Sequence, residues 1–391
     1  MTSTGVEAPP VRYEFLDALR GLAILAVIAE HCTKAVNQPF PLVRYGWAGS
    51  SGVQLFFVIS AVTIFLTLER ATGREKQVFK NFYVRRFFRI LPMFWVGMLL
   101  YAFVPGREIY EQKITIGFLD YFLTVILQQG WHPFSLNSVV PGGWSIAVEA
   151  TFYLMAPLLF LLLRNWQRAL VFLFVSLLGC SALDQALSYL SNHHVMYDGV
   201  QAELMEFFHK RWFPSQLPVF AAGMLAYRAW QGLPAAFATR LNGLLLVVAS
   251  GFILNATVGS DGMTLIPEPA CYGLGFALLV VGLAIQPLAL LVNGATQLMG
   301  RISYSVYLLH FAMLVAAGQV VERLPLHGGL MIFAAYFVLT LALTVPAAYV
   351  TARYVEKPFI RLGARLIQWM EQGKQAVPAP TNEEIVPLKG S

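Results

Sequence analysis

Residues 15–31 set Asp17, Arg20 and His31 inside an otherwise apolar run that also holds Glu30. A helix turns about 100° per residue, so Asp17, Arg20, Ile24, Val27 or Ile28 and His31 fall on one stripe. Arg20 and His31 are eleven residues apart, which is about 16 Å along a helix axis at 1.5 Å per residue and roughly half of a bilayer core. A guanidinium can hold an anion at one depth while an imidazole exchanges a proton at another. A second explanation is structural: Asp17 and Arg20, three apart, can neutralise each other. Glu30 projects about 100° away from His31 on a helix and is not the expected partner of the imidazole.

Other segments repeat this pairing of apolar sequence with isolated polar groups. Gly52-Val-Gln-Leu-Phe-Phe-Val-Ile-Ser60 carries Gln54 and Ser60, residue types that hydrogen-bond between membrane helices. In Arg85-Arg86-Phe-Phe-Arg89-Ile-Leu-Pro92, Arg86 and Arg89 share a face and suit either a phosphate clamp or an anchor on lipid phosphate. Pro141-Gly-Gly-Trp144-Ser-Ile-Ala-Val-Glu149-Ala-Thr-Phe-Tyr153 carries Glu149 about one and a half turns into a span, at a depth like that of His31. A carboxylate within reach of an imidazole fixes its tautomer and raises its basicity, so Glu149 is the expected partner of His31. Ser303, Tyr307 and His310 open a further span, where His310 is a second pathway group or a packing histidine.

These residues need a scaffold that holds them at membrane depth. With 57% hydrophobic and 12% charged residues, the 391-residue chain is too apolar for an ordinary soluble globule. The net charge of +6 collects in loops between apolar spans, as membrane topology predicts and nucleic-acid binding does not. Cys32, Cys180 and Cys271 have no paired spacing, so neither a disulfide framework nor a metal site is expected.

Ten spans are expected, at about 15–33, 52–69, 88–104, 144–163, 169–190, 216–231, 241–257, 271–292, 303–321 and 330–353. The fold class is an all-α, polytopic transmembrane helix bundle. The stretch 114–128 is short and polar and is either an eleventh span or an interfacial segment. Arg70, Arg74, Lys76, Lys80, Arg85, Arg86 and Arg89 mark the cytoplasmic side. If 114–128 does not cross, the later arginine-rich loops are cytoplasmic as well. Both termini are then inside, and 105–143 and 191–215 are the large external loops. The division is a cytoplasmic segment 1–14, a membrane domain 15–360 and a cytoplasmic tail 361–391, polar and expected to be disordered beyond about 368. There is no signal-peptide cleavage pattern and no internal repeat.

Six motifs in order, Asp17-x-x-Arg20-Gly with His31, Gly52-Val-x-x-Phe56-Phe-x-x-Ser60, Arg86-x-x-Arg89-x-x-Pro92, Trp144-Ser-x-x-x-Glu149-x-x-Phe-Tyr153, Ser303-Tyr-Ser-x-Tyr307-Leu-x-His310 and Glu356-Lys-Pro358, resemble the large membrane acyltransferase family three. The resemblance runs from about 13 to 360. It implies transfer of an acyl group, usually acetyl, from cytoplasmic acyl-coenzyme A to a hydroxyl of a sugar or another envelope-related acceptor. The family's arginine and histidine motif maps onto Arg20 and His31, its Arg-x-x-Arg motif onto Arg86 and Arg89, and its membrane glutamate onto Glu149. Two departures stand out: Ala61 replaces a common Gly, and Glu30 replaces an aromatic or apolar residue before the histidine. Without a hydrolase-like domain after the last span, the chain resembles the stand-alone branch.

Function is expected accordingly: a multi-pass enzyme of the cell membrane, in a bacterium the plasma membrane, with His31 and Glu149 catalytic and Arg20, Arg86 and Arg89 binding acyl-coenzyme A. Asp17, Ser60, Trp144, Tyr153, Ser303, Tyr307 and His310 are further candidates, and no metal is required. The expected acceptor is a hydroxyl of a sugar or polysaccharide, with a small secondary metabolite such as a macrolide as the alternative. The competing class is a transporter or flippase with an intramembrane relay.

Overall fold

The computed structural model describes residues 13–36, 38–104, 116–192, 200–260 and 266–372. Its first half comprises α1 (Glu14–Ala35), the short α2 (Val43–Ala48), α3 (Gly52–Ala71), α4 (Val78–Phe103), α5 (Phe118–Val125), α6 (Gly143–Leu162) and α7 (Trp166–Asn192). The second half comprises α8 (Val200–Arg211), α9 (Phe213–Gln231), α10 (Arg240–Gly259), α11 (Glu268–Ile285), α12 (Gly294–Arg301), α13 (Ser303–Val321), α14 (Gly329–Thr351) and α15 (Lys357–Gln372). Among the described residues there is no strand.

Among the described residues, eight helical segments are long and apolar enough to cross a membrane, against ten expected. The two that fall short, α1 and α9, form where the sequence predicts them and have 22 and 19 residues. Their position in the bundle explains the shortfall. α1 is packed by α3, α12, α13 and α14, and α9 by α3, α7 and α11, so Leu19, Ile24, Ile28, Val219 and Phe220 are fully covered by protein. A helix shielded by other helices need not be apolar all round, which leaves room for Asp17, Arg20 and Glu30 on α1. The outer helices show the opposite pattern: Leu99, Phe103, Val171, Leu178 and Phe252 are bare on the surface, as a lipid-facing shell requires.

The ambiguous stretch 114–128 is settled by α5. Its eight residues reach about 12 Å at 1.5 Å per residue, too short to cross. Asp120 ties it down, accepting from the Gly117 N–H at 2.7 Å and from the Ser135 hydroxyl at 2.6 Å.

The α1–α12 contact is close. A Cβ on Gly300 would lie 1.7 Å from the Asp17 carbonyl oxygen, and one on Gly21 would lie 2.0 Å from that of Thr296. Only glycine permits this approach, and it fixes the turn of α1 that carries Arg20. Ala61 lies on α3 against Gly223 of α9, where a Cβ would be 2.9 Å from that of Ala61, so the pair meets with its small residue on the α9 side.

At the arginine-rich end, α14 passes through a π-helical turn, Ala352–Glu356, into α15. The expected tail from 361 is therefore helical to Gln372; residues 373–391 lie outside the described residues. α15 packs Gly363 against Phe88 of α4, and its Glu371 accepts from the Asn81 side chain at 2.7 Å and from the Lys76 and Gln77 backbone N–H groups at 3.1 Å.

Candidate active site

α1, α3, α4, α6 and α13 converge on a cavity of about 80 Å³. Arg20, Ser60, Arg86, Arg89, Glu149, Tyr153, Ser303 and Tyr307, all singled out from sequence, line it together with Thr63 and Tyr304. Arg20 donates from Nη2 to Thr63 Oγ1 at 2.8 Å, and its Nη1 lies 3.4 Å from Asp17 Oδ1. The Asp17–Arg20 pair therefore exists, but the guanidinium also reaches across to α3.

The two adjacent arginines of α4 have different work. Arg85 is engaged by Glu75 through two contacts at 2.8 and 3.0 Å. Arg86 sits with its guanidinium carbon 5.4 Å from the ring centroids of both Phe82 and Tyr153. Its Nε, like that of Arg85, is buried without a hydrogen-bond partner, a state that costs on the order of 1–3 kcal/mol unless a ligand atom satisfies it; of the two, Arg86 lines the cavity.

Glu149 belongs to this arginine layer. It accepts from Ser60 Oγ at 2.5 Å and lies within electrostatic reach of Arg20 and Arg86. The expected pairing of Glu149 with His31 is not made. Similar depth was a poor guide because depth does not fix azimuth: α6 packs on α3 and α4, so its carboxylate turns toward the guanidinium groups.

His31 instead meets α13. Its ring centroid is 5.3 Å from that of His310 and 4.4 Å from that of Phe311. Its Nδ1 is 3.1 Å from Glu30 Oε2 but makes no hydrogen bond. Glu30 also pairs with Lys34 one turn on. The sequence reading set Glu30 aside on helical phase; its side chain is long enough to curl back across that angle.

His310 donates from Nδ1 to the Tyr307 carbonyl at 2.6 Å. A carbonyl only accepts, so this bond assigns the proton to Nδ1 and leaves Nε2 with the lone pair in the neutral ring. That Nε2 is buried without a partner. His310 is wholly enclosed, whereas the His31 side chain keeps 17% of its surface accessible, so His31 is the imidazole that a ligand can reach.

Tyr307 joins the two layers. It lines the arginine cavity, its hydroxyl donates to the Gly142 carbonyl at 2.9 Å and lies 2.7 Å from Ser145 Oγ, and its ring is 5.6 Å from that of His310. Gly142 caps α6 with φ +75°, a left-handed conformation that favours glycine. Trp144 does not line the arginine cavity; it faces a second one toward the other end of the bundle.

Four other groups were not selected from sequence. Thr63 and Tyr304 look like ordinary helix residues. Glu356 lies in the Glu-Lys-Pro motif, takes a hydrogen bond from Ser305 and is within electrostatic reach of Arg89. Arg211, at the end of α8, lies within electrostatic reach of His31, Glu30 and Tyr307; no motif surrounds it.

Comparison with known proteins identifies the family. A family model described as an acyltransferase domain matches residues 13–350. The peptidoglycan O-acetyltransferase OatA of Listeria monocytogenes is 29% identical over 164 residues, 39% of this chain and 24% of that protein. A putative O-acetyltransferase of Staphylococcus aureus is 24% identical over 383 residues, 90% of this chain and 58% of that protein. The putative peptidoglycan O-acetyltransferase YrhL of Bacillus subtilis is 28% identical over 192 residues, 44% of this chain and 28% of that protein. The chain thus spans less than two thirds of the length of these relatives. No solved structure matches it.

Proposed function

We propose, from the premise that the chain belongs to the acyltransferase family matched over residues 13–350, that this multi-pass membrane protein transfers an acetyl group from acyl-coenzyme A to a hydroxyl of a carbohydrate acceptor. The supporting observation is the polar track that α1 and α13 share: both contribute to the arginine cavity, through Arg20, Ser303 and Tyr307, and both to the histidine pair, through His31 and His310. The loop arginines put the cavity toward the cytoplasmic side and the histidines toward the other.

In this reading Arg86 and Arg89, with Arg20 deeper, hold donor phosphate and carbonyl oxygens. The orphaned Nε of Arg86 supports that role. Glu149 balances the guanidinium charge and orients Ser60. His31 takes the proton of the acceptor hydroxyl, the oxygen attacks the thioester carbonyl, the C–S bond breaks, and the proton passes to the leaving thiolate. Ester and free thiol are the products. His310, neutral and fixed by Tyr307, positions His31. The O-acetyltransferase names of the relatives support acetyl as the group moved and a glycan as its destination.

The test uses the purified protein in lipid nanodiscs with radiolabelled acetyl-coenzyme A. Transfer of label to a carbohydrate acceptor, lost in His31→Ala and strongly reduced in Arg86→Ala, supports the assignment. Undiminished transfer by the His31 variant refutes it.

A further inference from the structure

The second cavity has a volume of about 500 Å³, within the range of roughly 300–1,000 Å³ typical of small-molecule sites. Gln54 and Trp144 lie in the first turns of α3 and α6, Asp184 on α7, Arg211 at the end of α8, and Glu268 and Tyr272 on α11. This is the end of the bundle that carries His31.

Its chemistry is specific. Trp144 and Tyr272 offer apolar ring faces, while Asp184, Glu268 and Gln54 offer oxygens that accept from hydroxyl groups. Of its two cations, Lys210 is held by Glu206 at 2.6 Å. Arg211 stacks on Phe207, 3.8 Å from the ring centroid, and lies 5.7 Å from that of Trp144. Two carboxylates with one cation already neutralised disfavour an anionic occupant. Aromatic faces alternating with oxygen acceptors suit a ring with apolar faces and a hydroxylated edge.

Arg211 also connects the cavity to the chemistry. It lines the cavity beside Trp144 and is within electrostatic reach of Glu30, His31 and Tyr307. A molecule held beside Arg211 therefore sits at the end of the bundle that carries the accessible imidazole.

We infer that the cavity between α3, α6, α7, α8, α9 and α11 is the acceptor subsite and that it takes an uncharged, polyhydroxylated ring, a single glycosyl unit or two, either free or as part of a longer glycan. This rests on the reading of the protein as an acetyltransferase, yet it can be tested without turnover. Gln185→Cys in a background lacking Cys32, Cys180 and Cys271 puts a thiol on the cavity wall, and its maleimide labelling rate is measured in nanodiscs.

N,N′-diacetylchitobiose should slow labelling about tenfold at saturation, and 1-octanol should not. Protection by octanol alone, or no protection by the disaccharide, overturns the inference even if acetyl-coenzyme A is consumed. Protection without any acetyl transfer would refute the proposed activity and leave the glycan subsite standing. A chitin oligosaccharide too long to enter whole separates the two sources: protection by it as well assigns an open, glycan-end site, and protection by the disaccharide alone a closed site for free glycosides. In the transfer assay, Asp184→Asn should raise KM for the disaccharide about tenfold, the effect of roughly 1.4 kcal/mol, with the change confined to that substrate. An equal rise in KM for acetyl-coenzyme A would show that the cavity serves the donor and overturn the assignment.

Discussion

Gly142→Ala tests how the two layers are held together. The substitution places a Cβ on a residue with φ +75°, 2.9 Å from the Tyr307 hydroxyl oxygen and 3.0 Å from Phe311 Cε2. A left-handed alanine costs about 1–2 kcal/mol. Crowding in a packed interior adds about 1–3 kcal/mol. The destabilisation should therefore be about 2–5 kcal/mol, and because Tyr307 and Phe311 pack against the histidines, transfer should fall by at least tenfold. Tyr307→Phe alone removes the hydrogen bond to Gly142 and should cost about 1–1.5 kcal/mol, since Ser145 still donates to that carbonyl. Combined, the two changes should be less harmful than their sum by about 1–2 kcal/mol, because the second removes the oxygen that the first collides with. The measurements are thermal unfolding in detergent and kcat/KM for acetyl transfer in nanodiscs for the four proteins of the cycle. Strict additivity would refute the claim that the Gly142 backbone and the Tyr307 hydroxyl act as one joint, and full activity of Gly142→Ala would refute the link between that joint and catalysis.

Other outcomes follow from the same geometry. Arg86→Lys should raise KM for acetyl-coenzyme A by about tenfold, because an ammonium reproduces neither the stacking between Phe82 and Tyr153 nor the planar donor fork; an unchanged KM would remove Arg86 from the donor site. His310→Asn should lower kcat without abolishing it and shift the pH profile of transfer, while His31→Asn should leave no transfer; the reverse order of severity would exchange their roles. Glu149→Gln keeps the shape beside Ser60 but leaves Arg20 and Arg86 less balanced, and stability in detergent should fall by about 1–3 kcal/mol; equal stability would mean the carboxylate is not needed for charge balance. In a cysteine-free background, Trp131→Cys should react with an impermeant maleimide from outside cells and Arg361→Cys only after permeabilisation, both being exposed positions; reaction of Arg361→Cys in intact cells would overturn the orientation.

Much of the site was legible because each polar residue at membrane depth is conspicuous against apolar neighbours. Arg20 and Glu149 stand out that way, Arg86 and Arg89 by their spacing and Tyr307 by its motif, and all five share a cavity. Helical phase also marked Arg20 and His31 as one stripe. What one helix's pattern does not contain is how its neighbours are rotated: Glu149 faces Ser60 and the arginines rather than His31 because of the way α6 leans on α3 and α4. Arg211 was invisible for a different reason, since a cation at the end of a polar segment carries no contrast. The helices α1 and α9 were legible as well, at 15–33 and 216–231, although shielding by protein leaves them less uniformly apolar than the other long helices.

The contact between α1 and α12 sets a timetable for the making of the protein. Asp17 and Gly21 lock onto Thr296 and Gly300, about 280 residues later in the chain. At about 5–20 residues per second, the ribosome needs on the order of fifteen seconds to a minute to deliver that partner. Through most of this interval the most charged of the long apolar segments has only α2 and α3 of the helices that pack on it, and Arg20 has Thr63 and the arginines of α4 but none of the groups of α13. The candidate site is therefore completed late, and a chain cut short before α12 lacks the α13 side of the cavity, Ser303, Tyr304 and Tyr307.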